Sequence, residues 1–350
     1  MQIFAPTSIL LEGGQSYGST GGHIVKVPGL PDMYDWEFFP QEVPLEIDVS
    51  VIIKMANEGL EGSDAAFITT GYAAEEVATD ALKAWYAKRQ QGCYVIGPLV
   101  PPKTSNPAEG MTGSAETEEF LNKMLQSHGE KSVVYMSFGT VFWPTKQDYI
   151  GEVINAFIEK NMPFIICYAS PFASLSEDLI VKINSSGIGL VSKWVPQQYI
   201  LNHPATGWFV THGGHNSVME ALGSGIPMIC WPFEGDQPAA AAYLSVNLKV
   251  AFELLEVRTG EKGLKPLLRS GKQAKGTKEA VAFEIREVID ACRGPEGKAL
   301  RNNAEKIKDR LKKAWETGGS SRSELQSFCE KFNVDLIFFR QSALRVEASR

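Results

Sequence analysis

The sequence contains little cysteine, and its cysteines are not clustered. The five residues are far apart in the chain and form no CxxC pair: Cys93, Cys167, Cys230, Cys292 and Cys329. This pattern argues against a zinc knuckle and against a disulfide framework. We therefore expect a protein of a reducing compartment, the cytoplasm.

The chain also lacks a long hydrophobic run and an excess of positive charge. It has no stretch of 18 apolar residues, which a membrane-spanning helix would need, and its first residues include no basic segment typical of a secretory signal. Its net charge is −7. A general affinity for nucleic acid or for an anionic membrane surface is not expected, because both require a positive field.

The 350 residues are enough for two domains, and strand and helix patterns alternate along them. Strands are predicted at 24–27, 65–70, 93–97, 133–139, 163–169, 188–194, 207–212 and 227–233. Helices are predicted at 48–61, 73–90, 146–160, 176–184, 196–202, 217–223, 237–246 and 296–315. This alternation predicts an α/β fold with parallel, doubly wound sheets.

A stretch rich in Pro, Gly, Ser and Thr separates the two predicted domains. We assign residues 1–98 to an incomplete N-terminal Rossmann-like domain and 99–118 to the linker. Residues 119–333 form the C-terminal Rossmann-like domain, and 334–350 form a tail that matches no pattern.

Ligands of open α/β sheets bind at the carboxyl ends of the strands, and small residues follow two of the strands here. Ser137, Gly139 and Thr140 follow one strand, where backbone N–H groups can approach a phosphate, although an ordinary tight turn would look the same. The second segment, 211–217, includes Gly214. Its Asn216 and Ser217 are typical N-cap residues for a helix whose N-terminus would attract an anion.

The segment 211–217 also holds His212 and His215, which leave several interpretations open. His212 can add a hydrogen-bond donor, or a full charge if it is protonated. The two histidines have a spacing that a metal site can use, but the sequence offers no third ligand. A glycine turn with two incidental histidines is the remaining alternative. Glu220 lies farther along the predicted helix, where a carboxylate can accept hydrogen bonds from ribose hydroxyls.

Two further strand ends carry residues suited to a ligand. Asp236 and Gln237 can grip sugar hydroxyls, or they can be solvated loop residues. Trp194 ends a predicted strand, ahead of Val195 and Gln197. Its indole can stack on a base, or it can belong to the core.

The spacing of these residues resembles a known family. From Trp194 to Gln237 the 44 residues read WVPQQYILNHPATGWFVTHGGHNSVMEALGSGIPMICWPFEGDQ. The elements WxPQ, HPA, GxFxTHxG, NS, E, GxP and WPxxxDQ occur in order, as in the signature box of family 1 UDP-glycosyltransferases. YVIGPL (94–99) and SVVYMSFGT (132–140) resemble further family segments, so the resemblance covers residues 24 to 333.

The resemblance implies a GT-B fold, in which two Rossmann-like domains face each other across a cleft. It also implies transfer of a hexose, with glucose as the leading candidate, to a hydroxyl of a small lipophilic acceptor with inversion. The UDP-sugar would be a co-substrate, and no metal or other cofactor is implied. Trp194 would stack on uracil, with Val195 and Gln197 beside it, and Glu220 would hold the ribose. The remaining residues would bind the diphosphate (Ser137, Gly139, Thr140, His212, Gly214, His215, Asn216 and Ser217) or the sugar (Asp236 and Gln237).

One departure from the family concerns the catalytic base. Family members carry a histidine at the end of their first strand and an aspartate that orients it, whereas the residues before His23 cannot form such a strand. His23 stays an alternative candidate. We expect the chain to lack the histidine and aspartate and to be inactive, or to be a non-catalytic UDP-sugar-binding or partner protein. A nicotinamide oxidoreductase is disfavoured, because no GxGxxG follows a predicted strand.

Overall fold

The computed structural model describes residues 20–43, 54–55, 58–99 and 114–334. Its largest sheet has six strands in the order β10-β9-β8-β5-β6-β7, all parallel. These strands are β5 (Val133–Ser137), β6 (Phe164–Cys167), β7 (Gly189–Ser192), β8 (Thr206–Thr211), β9 (Met228–Cys230) and β10 (Ala251–Glu253). The α/β fold with a parallel sheet that the sequence predicts is therefore confirmed.

The central strands β5, β6 and β8 are buried along their whole length because helices cover both faces of the sheet. Along β5, Val133 and Tyr135 pack into one core layer, whereas Val134 and Met136 pack into the other. This is the alternation that a strand buried on both sides requires. The α-helices are Glu76–Lys88, Ser114–His128, Gln147–Glu159, Glu177–Ser185, Gln197–Asn202, His215–Ser224, Gln237–Ala242, Gly260–Gly263, Lys278–Arg293, Pro295–Lys313 and Ser320–Phe332.

The smaller sheet has two parallel strands, β3 (Ala65–Ile68) and β4 (Gly92–Val95), which the helix Glu76–Lys88 connects. The predicted strand 24–27 does not join it. Instead β1 (Ile24–Val25) forms a short antiparallel pair with β2 (Met33–Tyr34). The Pro-Gly turn between them folds the chain back on itself, which reduces the predicted strand to two residues.

The first described segment, 20–43, packs against the helix Gln237–Ala242 and the residues that follow β10. Within the segment 20–43, Gln41 donates through Nε2 to the carbonyl of Val257 at 2.8 Å. Glu37 is fully buried and pairs with Arg269 at 2.9 Å. Residues assigned by sequence to the N-terminal domain thus make buried polar contacts with the C-terminal one.

The last described helix, Ser320–Phe332, contacts the small sheet. In the last helix Ser321 donates through Oγ to the carbonyl of Gly97 at 2.6 Å, and Phe328 packs on Phe67 and Tyr94. The last described helix therefore packs against the small sheet, whereas the segment 20–43 packs against the C-terminal part of the chain.

Several predicted boundaries differ from the structure. Residues 114–118 are helical although the sequence assigned them to the linker, and the predicted helix 237–246 changes to a π-helix at Tyr243–Asn247. The predicted helix 48–61 lies partly outside the described residues, as do most of the linker and the tail. The helices Ser114–His128, Gly260–Gly263, Lys278–Arg293 and Ser320–Phe332 and the strands β2 and β10 were not predicted. None of the described helices is long and apolar enough to cross a membrane.

Candidate functional site

A cavity of about 1010 Å³ lies at the carboxyl ends of the large parallel sheet, facing the small sheet. Nearly all of the residues singled out in the sequence line it: Ser137, Gly139, Thr140, Trp194, Val195, Gln197, His212, Gly214, His215, Asn216, Ser217, Glu220 and Asp236. Gln237 and His23 do not. Four loops at the carboxyl ends of the strands thus bring together residues that are as much as 99 positions apart in sequence, as the strand order requires.

The helix His215–Ser224 begins at this cavity. Its N-cap is Gly214, and no described side chain caps it. Asn216 and Ser217, which the sequence suggested as N-caps, lie inside the first turn instead. The helix thus begins two residues earlier than predicted. As at any helix N-terminus, the backbone N–H groups of its first turn have no carbonyl partner within the helix, so they can bind an anion.

His212 is held between two glycines at the end of β8. A Cβ on Gly214 would lie 2.3 Å from His212 Nε2, and a Cβ on Gly139 would lie 3.0 Å from Cε1. The buried Nδ1 has no hydrogen-bond partner in the described part of the chain. Burial lowers the pKa of His212 to about 4, so the imidazole is neutral at pH 7 and does not carry the full charge that the sequence left open.

Trp194 is not a core residue. It lies two residues beyond the end of β7, and its side chain is 47% exposed at the cavity. A large aromatic ring that is half exposed and borders a cavity offers a flat face to a planar ligand. The core alternative that the sequence left open is therefore wrong for this residue.

Two glutamine side chains hold the Glu220 carboxylate in place. Gln197 donates through Nε2 to its Oε2 at 2.5 Å, and Gln198 donates to its Oε1 at 3.1 Å. Tyr135 in turn donates its hydroxyl to Oε1 of Gln197 at 3.1 Å. A carboxylate can accept about four hydrogen bonds, so two acceptor positions remain for a ligand.

Asp236 and Gln237 have different environments although they are neighbours. Asp236 is the N-cap of the helix Gln237–Ala242 and borders the cavity, and burial, together with the nearby charge of Glu75, raises its pKa to about 6. Gln237 is buried, and its Oε1 accepts a hydrogen bond from the backbone N–H of Phe233 at 3.0 Å. That bond fixes the amide in the loop wall.

The N-terminal half contributes residues that the sequence did not single out. Thr69, which follows β3, has its Oγ1 3.3 Å from Nε2 of His215, so it bridges the two sides of the cavity. Phe67, Leu82 and Tyr86 form an apolar wall. No local motif marks these residues, because they reach the site only through the packing of the two sheets.

Two remaining candidates from the sequence are His23 as a site residue and a metal site at His212 and His215. His23 is exposed and lies outside the cavity lining, and its backbone N–H donates to Oδ2 of Asp35 at 3.1 Å. Among the residues described, no group of three or more His, Cys, Asp or Glu side chains could hold a metal ion.

Comparison with known proteins identifies the C-terminal half. Residues 109–269 match the family model described as UDP-glucoronosyl and UDP-glucosyl transferase. The chain is 32% identical over 310 residues to UDP-glycosyltransferase eriJ of Hericium erinaceus, covering 86% of this chain and 61% of that protein. It is 31% identical over 243 residues to a cinnamate beta-D-glucosyltransferase of Fragaria ananassa, covering 67% of this chain and 40% of that enzyme.

Solved structures share the fold. A transferase from Siraitia grosvenorii in complex with UDP matches with a TM-score of 0.72 and 22% identity, covering 94% of this chain and 73% of that one. UGT2 of Phytolacca americana, complexed with UDP-2fluoro-glucose and pterostilbene, matches with a TM-score of 0.69 and 21% identity, covering 94% and 67%. The chain spans about half the length of the curated relatives it matches.

Proposed function

The chain belongs to the UDP-glycosyltransferase family and has its GT-B fold, and we propose that it binds a UDP-sugar. The transferred sugar is a hexose, with glucose as the leading candidate, and it passes to a hydroxyl of a small lipophilic acceptor with inversion. One observation carries the proposal. An uncapped helix N-terminus, an exposed indole and an ordered carboxylate line the same cavity at the edge of the parallel sheet.

The donor fits this cavity with its base at Trp194 and its sugar at Asp236. The indole stacks on uracil, and backbone groups of Val195 contact the edge of the base. Glu220, which Gln197 holds from behind, accepts hydrogen bonds from the ribose hydroxyls through its two remaining acceptor positions. Asp236 accepts hydrogen bonds from the sugar, whereas Gln237, which is buried outside the cavity lining, supports the loop that carries Asp236 through its bond to Phe233.

The diphosphate lies at the first turn of the helix His215–Ser224. N–H groups of this turn, including those of Asn216 and Ser217, point toward it, and the helix dipole favours its negative charge. Neutral His212 donates one hydrogen bond, and Gly139 and Thr140 close the opposite side. We propose that these groups stabilise UDP as it leaves and that the reaction needs no metal ion.

The acceptor occupies the N-terminal side of the cavity. Phe67, Leu82 and Tyr86 offer it an apolar surface, which suits a phenol or a sterol better than a charged substrate. The pterostilbene bound to the Phytolacca structure supports a small aromatic acceptor.

The proton acceptor for the hydroxyl is a separate question. The two histidines that border the cavity are His212 and His215, and within the described residues neither contacts a carboxylate. We propose that the chain as it stands binds its donor and transfers the sugar slowly or not at all, since a missing base removes a contribution of order 10²–10⁴ in rate. Binding of UDP-sugar without transfer is the second candidate function.

The proposal also includes a location. All five cysteines are free thiols, which supports a reducing compartment such as the cytoplasm.

Incubation with UDP-glucose and a panel of phenols and sterols tests the proposal, with calorimetry for binding and product analysis for transfer. We expect UDP-glucose to bind and glycoside to form slowly or not at all. Failure to bind either UDP or UDP-glucose would overturn the donor site. Rapid transfer that His23→Ala abolishes would show that His23 is the base, and rapid transfer that persists in His23→Ala would show that another group serves.

A further inference from the structure

A second cavity, of about 380 Å³, lies at the amino ends of the strands of the large sheet, opposite the first cavity. Ser132 precedes β5 and Pro163 precedes β6, and both residues line it. β5 is five residues long, so at about 3.3 Å per residue the two edges of the sheet are roughly 16 Å apart. The cavity is therefore separate from the proposed donor site.

The lining of this second cavity is basic. His128, Lys131, Arg293 and Arg301 border it, and no aspartate or glutamate does so among the described residues. Such a concentration of positive charge is unusual in a chain whose net charge is −7. A cavity with cationic walls concentrates anions.

Two of these cations already have partners. Lys131 Nζ lies 3.0 Å from Oε1 of Glu305, and Arg293 donates through Nη2 to the carbonyls of Lys160 and Asn161 at 2.8 and 3.2 Å. Arg293 thus satisfies carbonyl groups where the helix Gln147–Glu159 ends, which is a common task for a basic side chain.

Arg301 has no such role. It lies in the second turn of the helix Pro295–Lys313. Its guanidinium lies over the ring of Trp208 at 5.4 Å, and its Nη1 is buried without a hydrogen-bond partner in the described chain. Burial lowers the pKa of Arg301, although the charge of Glu305 acts in the opposite direction.

We propose that this cavity, with Arg301 as its principal ligand, binds a phosphate group, either as free phosphate or as the end of a small phosphomonoester. A guanidinium whose donors are not all used suits phosphate oxygens, because its fork of N–H groups matches their geometry. Lys131 and Arg293 add positive charge. The cavity is larger than a phosphate ion, which leaves room for a small organic group.

Calorimetry with inorganic phosphate and with glucose 6-phosphate tests the site, with and without saturating UDP to occupy the first cavity. We expect binding that UDP does not block and that weakens as sodium chloride is raised. Arg301→Gln should weaken it about tenfold or more, because charge-assisted hydrogen bonds are lost. Tighter binding of the sugar phosphate identifies a phosphomonoester as the ligand, and the reverse order identifies free phosphate.

Lys306→Gln is the matched control. It removes one positive charge from an exposed position of the same helix, outside the cavity lining, and should leave phosphate binding unchanged. Should Arg301→Gln not fold, Arg301→Lys keeps a charge but loses the fork and should still bind more weakly than wild type, as should Arg293→Gln. The proposal is overturned if no phosphate binds, if UDP abolishes the binding, or if the cavity variants bind as Lys306→Gln does.

Discussion

The raised pKa of Asp236 predicts that binding of the proposed donor depends on pH. Burial raises the pKa of this carboxyl to about 6, above its ordinary value of 3.8. At pH 7 the group is therefore mostly ionised and can accept hydrogen bonds from sugar hydroxyls. As the pH falls through 6 it becomes protonated and loses acceptor capacity.

The size of the effect follows from the fraction ionised. With a pKa of about 6, that fraction is about 90% at pH 7 and about 10% at pH 5, so affinity that requires the carboxylate should fall about tenfold between these values. The pKa of His212, about 4, leaves that side chain mostly neutral over the range. Any protonation of His212 would strengthen binding of the diphosphate and so act in the opposite direction.

Calorimetry with UDP-glucose between pH 5 and pH 7 measures the effect. UDP-glucose is the appropriate ligand because the terminal phosphate of UDP has its own ionisation, with a pKa near 6 if it resembles other phosphomonoesters. Asp236→Asn is the control: it should bind UDP-glucose more weakly at pH 7 and lose the pH dependence. If wild type and Asp236→Asn show the same pH profile, Asp236 does not contact the sugar through its carboxylate.

Three further substitutions probe the same cavity. Trp194→Ala should weaken UDP binding by about 1–3 kcal/mol through lost stacking, measured by calorimetry, and equal affinity would exclude the indole as the base platform. Glu220→Ala should cost about 1–3 kcal/mol, because ribose hydroxyls lose their acceptor, and 2′,3′-dideoxy-UDP should bind both forms alike. Gly214→Ala should displace His212, since the new Cβ would lie 2.3 Å from its Nε2. Unchanged UDP affinity together with an unchanged melting temperature would contradict the placement of this imidazole between Gly139 and Gly214.

The larger domain was largely predictable because its strands are buried on both faces. Runs such as VVYMSFG and PFIICYA have no polar face, so their pattern differs from that of a partly exposed helix. Glycine or proline also bounds several of these runs. The strands that were missed, or that are shorter than predicted, have weaker patterns in the sequence. β10 has only three residues, and the predicted strand at residue 24 ends after two, because Pro28 and Gly29 turn the chain.

The donor side of the site was visible in sequence because its residues follow successive strands of one sheet. The partners that hold them were not. Gln198 fixes Glu220 from another helix, and Thr69 contacts His215 from the other sheet. The neutral state of His212 also depends on burial by residues distant in sequence, which no local pattern encodes.

The most direct test of the account is calorimetric titration of the chain with UDP and, separately, with a nicotinamide dinucleotide. The account predicts that UDP binds in the cavity at the edge of the six-stranded sheet and that the dinucleotide does not. Binding of the dinucleotide without binding of UDP would contradict the assignment of this cavity to a UDP-sugar.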